Sequence, residues 1–102
     1  MLIHNVYFWL KDDVSEAQAL EFYQGITDLI SAVDEIERGE IGRPAKTPSR
    51  EVVDHSFYYS MFVWFNTIED HNVYQDHPAH HEFIDKFKHL WEKVHVRDSE
   101  IK

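Results

Sequence analysis

Three imidazoles crowd around one proline in Tyr74-Gln75-Asp76-His77-Pro78-Ala79-His80-His81-Glu82-Phe83, and here the chain most clearly carries groups that could do chemistry. Pro78 suits the first turn of a helix, where its missing N–H costs nothing and its φ is already helical. His77 then falls at the cap, with His80 and His81 in the first turn. The positive end of a helix dipole disfavours a protonated ring, so an imidazole held there is a neutral base or acceptor near pH 7. Tyr74 lies on the far side of the break, and its hydroxyl can converge with His80 on one cavity. Metal binding is a weaker reading. His77, His80 and His81 with Glu82 or Asp85 have the right donor atoms, but neighbouring helical positions diverge and at most two ligands meet easily, so no metal centre is expected.

The flanking segments must position these groups. Ile3 to Leu10 is β-branched and aromatic and stops at Lys11-Asp12-Asp13, which predicts a strand. Ser15 followed by Gln18 is a capping-box pattern. Ala19, Phe22, Tyr23, Ile26, Leu29, Ile30 and Val33 then recur at steps of mostly three and four, one apolar stripe on a helix of about five turns. Glu35 to Gly42 is a weaker strand, with Gly39 and Gly42 suggesting a bulge or an edge position. Arg43 to Asp54, with two prolines and alternating charge, reads as a loop. Its Arg43, Lys46 and Arg50 could meet an anionic group, although solvation of the loop is the simpler role. His55 to Phe65 is the strongest strand pattern. Thr67 caps a helix running to about Tyr74, Pro78 restarts it, and Phe83, Ile84, Phe87, Leu90 and Trp91 supply its apolar face. Val94 to Asp98 is a last short strand, and Ser99 to Lys102 a tail. The order β-α-β-β-α-β predicts an α+β fold of ferredoxin-like type, an antiparallel four-stranded sheet with helices on one face.

Composition narrows the partners. The 102 residues include three Trp, five Tyr and seven Phe, enough for one small globular domain spanning residues 1–102. The net charge of −9 repels phosphate, so neither nucleic acid nor an anionic membrane is an expected partner. With no cysteine, disulfides and thiolate chemistry are ruled out. No segment approaches the roughly 20 apolar residues of a membrane span, and the first residues lack a signal-peptide pattern, so a cytoplasmic location is the expectation.

Strand alternation adds a constraint. His4, Val6, Phe8 and Leu10 point to one side of the first strand, Ile3, Tyr7 and Trp9 to the other. In the third, Phe57, Tyr59, Met61, Val63 and Phe65 oppose Tyr58, Phe62 and Trp64. Both faces are apolar, and helices cover only one. The other exceeds the few hundred Å² of apolar patch usual on a monomer, so a second copy packed sheet against sheet is the expected partner. Burial of ~800 Å² per subunit would give an interface of standard size.

His4 on the first strand, Asp54-His55 at the third, Y-x-x-H-P-A-H at Tyr74 to His80, and L-W-E-K-V…D from Leu90 to Asp98 together resemble the dimeric α+β barrel, or stress-responsive A/B barrel (Dabb), family. The resemblance runs from His4 to about Asp98 and implies ferredoxin-like subunits whose sheets pack face to face. A plant polyketide-cyclase class of that family closes linear polyketides by aldol condensation without a cofactor. Similarity to it implies His80 as general base held in its tautomer by Asp98, Tyr74 as donor to the carbonyl oxygen, and His4 and His55 as pocket residues on the helix-facing side. No cofactor is implied, and a small apolar or polyketide-like molecule is the implied ligand. Two readings stay open: a binding or protective homodimer in which Tyr74, His80 and Asp98 form a buried hydrogen-bond network, and a cofactor-free cyclase-like enzyme.

Overall fold

The computed structural model describes residues 1–102. Strand β1 (Leu2–Leu10) leads into helix α1 (Glu16–Ala32), strands β2 (Ile36–Gly42) and β3 (Tyr59–Phe65), helices α2 (Ile68–Asp76) and α3 (Pro78–Phe87), a 3₁₀ turn (Lys88–Leu90) and strand β4 (Trp91–Glu100). The strands form one antiparallel sheet in the order β2-β3-β1-β4. This is the ferredoxin-like α+β arrangement that the alternation of periods predicts. No helix is long and apolar enough to cross a membrane.

Local signals explain where the helices start. Ser15 and Gln18 exchange the reciprocal bonds of a capping box, satisfying two otherwise orphaned N–H groups at the start of α1. Thr67 Oγ1 accepts from Asp70 N–H at the start of α2. At the α2–α3 junction, His77 N–H closes α2 on the Tyr74 carbonyl while its Nδ1 accepts from Ala79 N–H, with Pro78 in the first turn of α3. One histidine thus ends one helix and begins the next, and the bend falls where the proline requires it.

The core lies between the sheet and the helices. Phe22, fully buried on α1, packs against Phe8, Tyr59, Phe83, Phe87 and Trp91, with ring centroids 4.9–5.8 Å apart. The Tyr59 hydroxyl donates to the Ala19 carbonyl at 3.0 Å, tying β3 to α1 through a buried bond. Gly25 is where α1 meets α3: a Cβ there would lie 2.1 Å from the Phe87 ring. On β2 a Cβ at Gly39 would lie 2.6 Å from Ile30, so close helix–strand approach accounts for that glycine. β2 is an edge strand, with its register shift falling earlier, between Ile36 and Arg38.

Two strand boundaries differ from the pattern in the sequence. β3 begins at Tyr59 rather than His55, because the Asp54 carboxylate accepts from both the N–H and the hydroxyl of Ser56 and turns the chain before the ladder starts. Side-chain alternation is therefore broken there: Phe57 packs edge-to-face against Tyr7 and Trp9 on the outer face, while Tyr58 packs toward the core beside Tyr59. Conversely, β4 runs from Trp91 to Glu100, well beyond Val94–Asp98, pairing along β1 from Leu10↔Trp91 to Leu2↔Glu100. Backbone pairing extends this edge strand where its side chains are exposed and polar, so the apolar pattern underestimates its length.

The aromatic hub predicts a steep dependence on one residue. Phe22→Ala should cost ~3–5 kcal/mol of unfolding free energy, and Tyr23→Ala, one position along and 43% exposed, under ~1 kcal/mol, in urea titrations at matched protein concentration.

Candidate functional site

Sheet register builds the first half of the site. His4 on β1 stands directly opposite Asp98 on β4, so both side chains rise from the same face toward the helices. His4 is only 4% exposed, and its Nδ1 lies 2.5 Å from Asp98 Oδ1. Helix α2 delivers the second half. Tyr74 is 1% exposed, and its ring lies edge-on to His4 at 5.7 Å. Beyond the Pro78 bend, His80 returns to within 4.6 Å of Tyr74, ring centroid to ring centroid.

These groups line a cavity of about 190 Å³ between sheet and helices, walled by Val6, Phe8, Met61, Phe83, Ile84 and Trp91 and opening past Val94 and Val96. It exists because the helices leave β4 uncovered: Val94 and Val96 remain 39% and 46% exposed although they face the helix side.

Burial tunes each titratable group. Removal from water pushes the Tyr74 phenol far above its ordinary pKa with no opposing influence, so it stays protonated and keeps an O–H to donate. Burial likewise holds the His80 ring below the usual histidine value, outweighing the nearby Gln75 backbone, which works the other way. His80 Nδ1 is buried with no protein group in full hydrogen-bond geometry, although the Gln75 backbone carbonyl is close enough to the ring to favour its protonated form. His4 is also lowered by burial, with the Asp98 carboxylate opposing. A neutral imidazole with a free nitrogen beside a protonated phenol can move a proton off a substrate carbon and stabilise the oxygen that gains charge.

The residues singled out in the sequence are only partly brought together. His4, Tyr74, His80 and Asp98 meet on the helix side. The Asp98 carboxylate, however, bonds His4 and not His80, because cross-strand register places it opposite residue 4. His55 is on the other side of the sheet. It sits in the loop before β3, with Nε2 2.8 Å from Thr47 Oγ1, and lines a separate cavity of about 500 Å³ with Tyr7, Trp9, Phe57, His95 and Arg97. The early turn at Asp54 moves it there. That outer cavity is larger and has a tyrosine and histidines of its own, Tyr7 opposite His95 across β1 and β4, but the helix-side groups whose protonation burial shifts, His4, Tyr74 and His80, all line the smaller one. Arg43 stacks its guanidinium 3.8 Å over the Tyr58 ring, an anchoring contact for the loop. His71 was missed in the sequence: it stands one turn before Tyr74 on the same helix face, 5.0 Å from His4.

Comparison with known proteins gives a consistent picture. The family model for the stress responsive A/B barrel domain matches residues 2–101. The chain is 26% identical over 95 residues to olivetolic acid cyclase of Cannabis sativa, covering 93% of this chain and 91% of the cyclase. Among solved structures, a hydroxynitrile lyase from Passiflora edulis superposes with a TM-score of 0.85 at 21% identity, covering 99% of this chain and 93% of the lyase. A dimeric ferredoxin-like protein of unknown function from Thermobifida fusca superposes at 0.80 with 15% identity, covering 98% and 90%.

Neutral buried rings make stability depend on pH with a definite sign. His4 and His80 have folded pKa values below the ordinary 6.5, so the unfolded chain takes up their protons first as pH falls. Their contribution is complete above that value and is lost below it. Thermal melts between about pH 7.5 and 5 should show wild type losing stability more steeply than His80→Gln; parallel curves would refute the assignment.

Proposed function

The chain belongs to the stress-responsive A/B barrel domain family, and on that premise we propose that it works as a homodimer whose subunits each hold a small, largely apolar molecule in the helix-side cavity. Pairing is supported by the outer face of the sheet, where Ile3, Tyr7, Trp9, Phe62 and Trp64 stay only half-buried in a single chain, and by the dimeric state of a similar fold. Ligand binding is supported by the cavity's apolar walls and its few convergent polar groups. At about 190 Å³ it is smaller than the ~300 Å³ at which drug-sized sites begin, so it suits a short molecule.

A second reading is favoured by one observation, the unpartnered His80 Nδ1 beside Tyr74. In it the protein is a cofactor-free enzyme acting on a small 1,3-dicarbonyl or polyketide-like substrate, in the manner suggested by its similarity to olivetolic acid cyclase. His80 takes the proton from the carbon between two carbonyls. Tyr74 donates a hydrogen bond to the oxygen of the resulting enolate. The enolate carbon then attacks a third carbonyl, which a ring-forming substrate must carry farther along the same chain, forming the ring bond, and the alkoxide so made receives the proton back from His80. In this scheme Asp98 acts on His4 and orients the pocket wall, with no direct role at His80.

Two measurements separate the readings. Titration of labelled protein with a short 2,4-dione should shift the resonances of Val94, Val96 and His80 while leaving His55 and Phe57 unmoved; shifts confined to the latter pair would move binding to the outer face. In a turnover assay with a short β-polyketo thioester, His80→Ala and Tyr74→Phe should retain their melting temperature and lose ~10²–10⁴-fold in rate. Loss of stability in both variants, with no turnover in wild type, assigns the pair to a structural network.

A further inference from the structure

His4, His71 and Asp98 come from β1, α2 and β4, three elements far apart in sequence, yet one ligand atom from each lies within 4.8 Å of the others. The two imidazole rings are 5.0 Å apart and tilted by 60°, so they do not stack flat. From this convergence we propose that the cluster is a binding site for a zinc-type divalent cation, held by two imidazoles and one carboxylate with a further position open to solvent or a small ligand.

The donor set fits that class of ion. Two histidines and a carboxylate, with a remaining position left open, suit zinc and related first-row ions, whereas calcium and magnesium take nearly all-oxygen shells. Such ions need ligand distances of roughly 2.0–2.2 Å, so the three groups must draw together, and they differ in freedom to do so. His4 is fixed by the core. His71 is half-buried and must exchange one of its contacts with the Asn72 and Gln75 side chains, at 3.1 and 3.5 Å, for the ion, and Asp98 has a side chain 41% exposed, so the two outer ligands have room to swing onto the inner one. The bond already present between His4 Nδ1 and Asp98 offers two binding modes: the carboxylate coordinates directly, or it orients His4 while the other ring nitrogen coordinates.

The histidine-rich segment noticed in the sequence does not compete well. His77 Nδ1 is engaged by Ala79 N–H, and His81 points outward from α3. The site adjoins Tyr74 through His4 and His71, but its existence does not depend on any catalytic role for Tyr74 or His80.

The test is calorimetric titration of the full chain with zinc chloride, together with the visible spectrum of the cobalt(II)-loaded protein. Wild type should bind one ion per chain and give a ligand-field band of low-symmetry cobalt. His71→Ala and Asp98→Asn should weaken binding about 100-fold or more and abolish the band, with circular dichroism unchanged. His81→Ala and His89→Ala, both surface changes, should bind as wild type does. The site is overturned if wild type retains no zinc, or if His71→Ala binds it as tightly as wild type. Because the readout is metal affinity, failure here leaves the ligand and turnover measurements on the same cavity unaffected.

Discussion

A four-stranded sheet that is apolar on both faces, with helices enough for only one, is the constraint from which the other features follow. On the covered face, Phe22 and its ring neighbours form a dry core that fixes α1 and α3 against β1 and β3. On the other, Tyr7, Trp9, Phe57 and Phe62 pack among themselves and under the loop that precedes β3, but stay half open to water. Hydrophobic burial at ~25 cal/mol per Å² makes leaving such a face wet unfavourable for a domain this small. The pairing of two copies proposed above would relieve it with the groups already present.

Uneven coverage of the helix side explains the pocket. The α2–α3 bend at His77–Pro78 brings His80 back beside Tyr74, while the edge of the sheet beyond β1 has backbone pairing but leaves Val94 and Val96 exposed. The residues beside that gap are polar: His4 and Asp98 by register, Tyr74 and His80 by the bend, and His71 one turn earlier. Their proximity to Phe8, Met61 and Phe83 removes water from the rings and keeps the phenol protonated and the imidazoles neutral. The β1–β4 register and the proline between two short helices together set the geometry, and burial within it sets the acid–base character.

Much of this was readable from residue types, and the failures have physical causes. The capping box at Ser15, the restart at Pro78 and the faces of β1 are set by interactions within a few residues, so local pattern suffices. The His4–Asp98 contact depends on register between the first and last strands. No local pattern encodes it, and Asp98 was accordingly paired with the wrong histidine. The resemblance implies a helix-facing His55, whereas the turn that Asp54 imposes by side-chain bonding puts it on the outer side of the sheet. His71 carried no signal beyond its one-turn spacing from Tyr74, and became meaningful only when α2 was laid over β1.

Sedimentation equilibrium of the unmodified chain at micromolar concentration tests the central constraint most directly. A sheet that must cover its second apolar face with another copy gives a particle of about twice the 12.2 kDa chain mass, with no dependence on added ligand or metal. A stable particle at the single-chain mass, showing no tendency to associate as concentration rises, would contradict it.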